Sequence, residues 1–182
     1  MNTANKITMI RVFLVPVFMV LFMIDNTVCH YAALGVFILA SVTDAIDGYV
    51  ARKYNQTTTF GKFVDPLADK VLTTSAFLIL MYYDRMSVWA LMIVLTREFM
   101  VAGVRLVAAG EGKVVAASMW GKLKTVTQMI AVIAAMLLLP YERFLGVRAS
   151  LISDILIWIS VAFTIISGID YLAKNWKLME MK

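Results

Sequence analysis

SVTDAIDGYVARKYNQTTTFGKFVDPLADK occupies positions 41–70. It carries Asp44, Asp47, Asp65 and Asp69, four of the chain's 12 acidic residues, inside a sequence that is otherwise mostly apolar. Asp44 and Asp47 are three apart and Asp65 and Asp69 four apart. Either spacing puts two carboxylates on one face of a helix. Asp65-Pro66 reads as a helix start, with Asp at the N-cap and Pro at the first helical position. The stretch therefore reads as the end of one helix, a polar connector and the start of the next. Two acidic pairs then face each other across antiparallel neighbours.

The surroundings say where those helices live. Of 182 residues, 62% are hydrophobic and 16% charged, and the mean hydropathy is +0.83. A soluble domain is about half apolar and about a quarter charged, so there is too little polar surface here to coat a water-soluble globule. Six stretches approach the ~20 apolar residues that a membrane helix needs: 7–24, 31–51, 66–83, 87–110, 124–139 and 151–173. Short connectors make them one domain over 1–182, an all-α membrane protein built as a six-transmembrane-helix bundle. The N-terminus lacks a clear small-residue cleavage site and is followed by five more spans, which argues against a signal peptide. Cys29 rules out an intrachain disulfide, being the single cysteine. With His30 it reads as part of a short loop with no metal role.

Charge gives the orientation. Lys6 and Arg11 open the first span, Arg52, Lys53 and Lys62 follow the second, Lys113 and Lys122 the fourth, and Lys174, Lys177 and Lys182 the sixth. The opposite connectors hold Arg85, Arg143 and Arg148. The positive-inside rule puts both termini and the 52–62 connector in the cytoplasm. The net charge of +5 and pI near 9.4 follow from these flanking cations, and no nucleic-acid partner is expected.

The four aspartates then lie in the inner-leaflet half of the membrane. A charge there costs about 2.5–3.5 kcal/mol on insertion scales, and like charges repel. Helix capping needs one carboxylate per helix end, not two facing pairs. Hard divalent cations, Mg²⁺ or Mn²⁺, resolve the conflict, because they take carboxylate oxygens and keep sites for substrate phosphate. Gly48 and Gly61, set among the aspartates, suit close backbone approach to a nucleotide.

The full pattern is Asp44-x2-Asp47-Gly48-x2-Ala51-Arg52, eight residues, then Gly61-x3-Asp65-x3-Asp69. It resembles the signature of the CDP-alcohol phosphotransferases, with all eight defining positions filled, and the resemblance extends over the whole chain. The family moves a substituted phosphate from a CDP-linked donor to an alcohol and releases CMP. The resemblance implies that Asp44, Asp47, Asp65 and Asp69 bind one or two divalent ions. It also implies that Asp69 is the general base, and that Asp47, Gly48, Ala51, Arg52 and Gly61 line the CDP site. Phosphoryl transfer needs charge neutralisation and positioning more than covalent chemistry, and a carboxylate within reach of a hydroxyl can take its proton.

The second half bears on the acceptor. Arg97 lies ten residues into the fourth stretch, ~15 Å deep, and Arg105 lies eight residues further on. Glu98 and Arg105 share a face and are candidates to pair. Lys122 and Lys124 open the fifth stretch. Arg97, Arg105 and Lys122 converging beside the aspartates suit an acceptor that is itself anionic, since Arg offers bidentate phosphate contacts. The REF, GxRL and GKxKT segments and the opening NKITMIRVFLVPVF resemble the bacterial phosphatidylglycerophosphate synthases. That likeness implies CDP-diacylglycerol as donor and sn-glycerol 3-phosphate as acceptor, with Arg97, Arg105, Lys122 and Lys124 on the acceptor phosphate. It further implies a homodimer among membrane lipids of the bacterial cytoplasmic membrane, its active site facing the cytoplasm. The competing readings are another acceptor (phosphatidylglycerol, serine or inositol phosphate), a prenyltransferase, and a divalent-cation transporter. A neutral acceptor leaves the basic cluster without a purpose. Prenyltransferases lack the 48–52 segment, and transporter sites usually lie at the midplane.

Overall fold

A computed structural model describes the backbone of residues 3–53, 59–110, 112, 118–141 and 147–179. It describes the side-chain surroundings of 8–43, 64, 67–110, 112, 118–141 and 149–176. The described residues form α1 (Thr3–Met23), α2 (Thr27–Lys53), α3 (Thr59–Tyr82), α4 (Val88–Gly110), α5 (Met119–Leu138) and α6 (Val147–Met179), with one 3-10 turn at Leu139–Tyr141. Each of the six apolar stretches expected from the sequence lies on one of these helices.

The turns show why the chain breaks where it does. Asn26 caps α2: its Oδ1 accepts the Val28 N–H at 2.8 Å, which satisfies an orphan donor of the first turn. This puts Cys29 and His30 inside α2 rather than in the loop that the sequence suggested. His30 is buried, stacked on Phe22 with centroids 4.8 Å apart and edge-on to Tyr83. After α3, Arg85 N–H donates to Leu80 O at 2.8 Å and Asp84 N–H to Met81 O at 3.1 Å. These are the paired bonds of a Schellman end, with Asp84 in the left-handed position at φ 56°. Ser87 then caps α4, its Oγ accepting the Ala90 N–H at 3.1 Å.

One boundary differs from expectation in a way that matters. Asp65 and Pro66 do not start α3, which begins at Thr59. An internal proline removes one intrahelical bond but leaves those of its neighbours, and a packed bundle tolerates that loss. The local start signal is overridden.

The helices pair as α1 with α2 and α3, and as α6 with α4 and α5; α5 also touches α2 and α3. A common core runs through the bundle, including Phe18, Phe22 and Phe37, Leu72 and Leu80, Val94, Met136 and Val161. A separate small cluster, Val101, Val104 and Tyr171, joins the far ends of α4 and α6. Large apolar side chains such as Phe13, Val28, Trp89, Phe99 and Leu106 stay largely exposed on the outside, a pattern that marks an interaction surface or lipid. Two segments, Met119–Tyr141 and Ala149–Trp176, are long and apolar enough to cross a membrane, with shorter apolar helices at Thr8–Met23 and Thr27–Thr43. Arg11, grouped by sequence with the flanking cations, is wholly buried instead.

Candidate functional site

Asp69 is the motif residue whose surroundings are described. It sits on an exposed face of α3 between the buried Ala68 and the half-buried Lys70, and its backbone carbonyl accepts Thr73 Oγ1 at 3.0 Å. Asp44, Asp47, Gly48, Ala51 and Arg52 fall within the bounds of α2, and Gly61 and Asp65 within those of α3. Their side chains lie outside the described residues. Among the described residues no three His, Cys, Asp or Glu side chains come together. The donor set of the motif is all oxygen, which suits a hard divalent cation rather than a soft one.

Across from α3 lies a charged cluster built by three helices. Glu98 on α4 accepts hydrogen bonds at one oxygen, Oε1, from two cations. Arg97 Nη1 donates from 3.2 Å, and Lys124 Nζ on α5 makes a close ion pair. Arg97 Nη2 also donates to Ser167 Oγ on α6 at 2.7 Å. Side-chain exposure is 12% for Arg97, 6% for Lys124 and 25% for Glu98. Two cations share one carboxylate, so the trio carries a net positive charge. Arg97 Nε is buried with no hydrogen-bond partner among the described residues. A buried donor left over in a positive cluster is a site an anion can complete.

Two glycines let the helices close on Arg97. A Cβ on Gly168 would meet Arg97 Cγ at 3.3 Å, and one on Gly121 would come 3.6 Å from Arg97 Nη2. Gly121 lies in the first turn of α5, whose N-cap is Ser118, Oγ accepting the Gly121 N–H at 3.1 Å. The cluster communicates with the motif helix through space: Asp69 lies within electrostatic reach of Lys124, and Lys70 within that of Glu98.

The other basic residues are placed differently. Lys122 is exposed on the face of α5 that carries Met119, Leu123 and Val126. Two residues along a helix is ~200° of rotation, so Lys122 and Lys124 look in nearly opposite directions. Arg105 lies over the ring of the buried Tyr171, 5.8 Å from its centroid. Glu98, which sequence spacing offered to Arg105, binds Arg97 and Lys124 instead. Spacing along one helix missed the partner on another. Ser167 was missed as well; its one signal is a small polar residue beside Gly168 in an apolar run.

A family model described as CDP-alcohol phosphatidyltransferase matches residues 1–166. A CDP-diacylglycerol–glycerol-3-phosphate 3-phosphatidyltransferase of Bacillus subtilis (strain 168) is 44% identical, the match covering 98% of this chain and 97% of the relative. Proteins of the same description from Rickettsia typhi (37% identical; 93% of this chain, 94% of the relative) and Haemophilus influenzae (37%; 94% and 91%) are similar to it throughout. With the motif on α2 and α3 and a match of that extent, the chain belongs to the CDP-alcohol phosphatidyltransferase family.

Proposed function

We propose that this chain transfers the phosphatidyl group of CDP-diacylglycerol to sn-glycerol 3-phosphate, giving phosphatidylglycerophosphate and CMP. It is a transferase of phospholipid biosynthesis. The observation that carries the acceptor is the Arg97–Glu98–Lys124 cluster, a positive, mostly buried site with a donor to spare, within electrostatic reach of Asp69. A phosphate-bearing alcohol fits such a site, and a neutral alcohol has no use for it.

In this reading Arg97 and Lys124 hold the acceptor phosphate, with Arg105 and Lys122 further out. Asp69 takes the proton of the C1 hydroxyl. The freed oxygen bonds to the lipid-side phosphorus of the donor, the bond from that phosphorus to the bridging oxygen breaks, and CMP leaves with that oxygen. Arg52 balances the charge on CMP, and Gly48, Ala51 and Gly61 let the nucleotide approach the backbone. Asp44, Asp47, Asp65 and Asp69 would hold Mg²⁺ or Mn²⁺, one or two ions, which neutralise diphosphate charge when bound.

The architecture we infer is one domain of six membrane spans, with both termini and the site at the cytoplasmic face of the bacterial inner membrane, assembled as a homodimer. The apolar exterior of the helices and the distribution of Lys and Arg support it. Carboxylates at that depth can meet a lipid headgroup without leaving the membrane. The test is CMP release by purified protein in detergent, with Mg²⁺ and CDP-diacylglycerol, comparing glycerol 3-phosphate with glycerol, serine, inositol phosphate and phosphatidylglycerol. Release with glycerol 3-phosphate alone, lost on chelation, is the expected result. Release with a different acceptor overturns the reading of the cluster.

A further inference from the structure

Among the described residues Arg11 is the largest side chain buried completely, with 0% exposure, and Thr8 one turn earlier on the same face is 1% exposed. A guanidinium keeps its charge at any ordinary pH. Burying it without an anion costs several kcal/mol. Snorkelling to a headgroup is closed to a side chain with no exposed atom.

Packed aromatic rings fix which acids are at hand. Phe18 on α1 lies against Phe37 on α2, centroids 5.6 Å apart, and Phe22 lies against His30. The helices run antiparallel, so paired positions sum to between 52 and 55, and Arg11 falls level with positions 41–44 of α2. The buried stripe His30, Ala33, Phe37 and Ala40, continued at the same helical spacing, arrives at positions 44 and 47. On the parallel neighbour, Tyr83 Oη donates to Phe22 O at 2.9 Å. That offset of 61 positions brings Arg11 level with Leu72. Helical side chains lean toward the N-terminus, so the guanidinium lies nearer the level of Thr8, which corresponds to positions 44–47 on α2 and 69 on α3. Beside it on α3 is the buried Ala68, whose small side chain leaves room. The remaining acids described are elsewhere: Asp25 and Asp84 at the opposite end of the bundle, Glu98 bound to Arg97 and Lys124, and Asp154 and Asp170 on α6, which is not among the main partners of α1.

We infer that Arg11 is a positioning residue of the reaction, the internal counter-charge that holds the aspartates of α2 and α3 together and sets how strongly they take up a divalent cation. The inference rests on the motif helices alone, not on the acceptor. On this inference a resident cation offsets the repulsion among the motif's four like charges before any metal ion arrives, and weakens their hold on the ion once it is bound.

The test uses the purified full chain in detergent with Mn²⁺ as probe, read by electron paramagnetic resonance of the free ion and by thermal unfolding with and without Mn²⁺. In Arg11→Gln the Mn²⁺ dissociation constant falls about tenfold, since one repelling charge close to the ion is gone. The unfolding temperature drops in metal-free buffer, and saturating Mn²⁺ restores most of the loss. Turnover falls at saturating substrates while the KM for the acceptor holds, and Arg11→Lys keeps the parental Mn²⁺ affinity. If Arg11→Gln does not accumulate, Arg11→Gln combined with Asp44→Asn, which removes one opposing charge, does. An equal loss of stability with and without Mn²⁺, with Mn²⁺ affinity unchanged, overturns the inference and leaves Arg11 a packing residue. So does failure of the double variant to accumulate.

Discussion

Replacing Lys124 with methionine separates it from Lys122, the lysine that the sequence reading favoured for the acceptor. Methionine follows the lysine stem closely in volume, so the packing of α5 is nearly conserved. What goes is the ammonium bound to Glu98. Removing one partner of a buried ion pair costs about 3–5 kcal/mol. Glu98 keeps Arg97 at 3.2 Å and is 25% exposed, so a loss of about 1–2 kcal/mol is expected here after that discount. The effect on the acceptor is larger. The trio changes from net positive to neutral, and the phosphate loses a charge-assisted hydrogen bond of about 1.5–3 kcal/mol. At ~1.4 kcal/mol per decade, the KM for glycerol 3-phosphate rises about 10- to 150-fold, with turnover at saturation within a few-fold of the parent. The assay is CMP release against glycerol 3-phosphate at saturating CDP-diacylglycerol, with Lys122→Met measured alongside. Lys122 is exposed on the other side of α5, and its loss leaves KM within about two-fold, as for an ordinary surface change. The reverse outcome, KM raised by Lys122→Met and untouched by Lys124→Met, refutes the assignment of the acceptor to the Glu98 cluster.

Asp69→Asn leaves the protein folded and inserted but lowers transfer by about 10²–10⁴-fold, the usual worth of a general base; near-parental turnover, with an unfolding temperature to match, removes Asp69 from that role. Gly168→Ala puts a Cβ 3.3 Å from Arg97 Cγ, so it shifts the guanidinium and raises the acceptor KM severalfold. Gly121→Ala meets its nearest atoms at 3.6 Å and is the milder change, and equal KM values in the two variants argue against Arg97 holding the acceptor. Arg105→Ala loses the contact with Tyr171 and a charge outside the cluster. Its kcat/KM for glycerol 3-phosphate falls at low salt and converges on the parent at high salt, as steering charges do; a deficit independent of salt instead makes Arg105 a direct ligand.

The sequence was most legible where chemistry constrains spacing. Four aspartates at three- and four-residue intervals in an apolar chain have few uses, and eight positions at fixed offsets carried the family. The six helices were legible for a different reason, since each is a long apolar run between polar connectors. Rotation was not legible. Whether Lys122 or Lys124 points inward depends on how α5 seats against α4 and α6, and that is decided by contacts such as Gly121 against Arg97, far away in sequence. The same blindness offered Glu98 to Arg105 on its own helix rather than to Lys124, 26 residues on. Arg11 counted equally well toward a topology rule whether it faced water or the core, because that rule sees only charge and position.

The depth of the cluster follows from unequal helix lengths. Arg97 touches Ser167 and lies beside Gly121, so these three residues mark one level on α4, α6 and α5. From that level α4 runs on to Gly110 and α6 to Met179, while α5 has begun only at Met119. At ~1.5 Å per residue the two helices outreach the start of α5 by ~15 Å or more, held together there by Val101, Val104 and Tyr171. Arg105 sits on this extension at the level of Tyr171, about one turn beyond Ser167. Under the proposed function an anion approaching along the extension meets Arg105 first and the Arg97–Lys124 pair second. The Ser118 cap fixes that beginning of α5, so under the proposed function Arg105 and the Arg97–Lys124 pair stand at successive depths along the two longer helices.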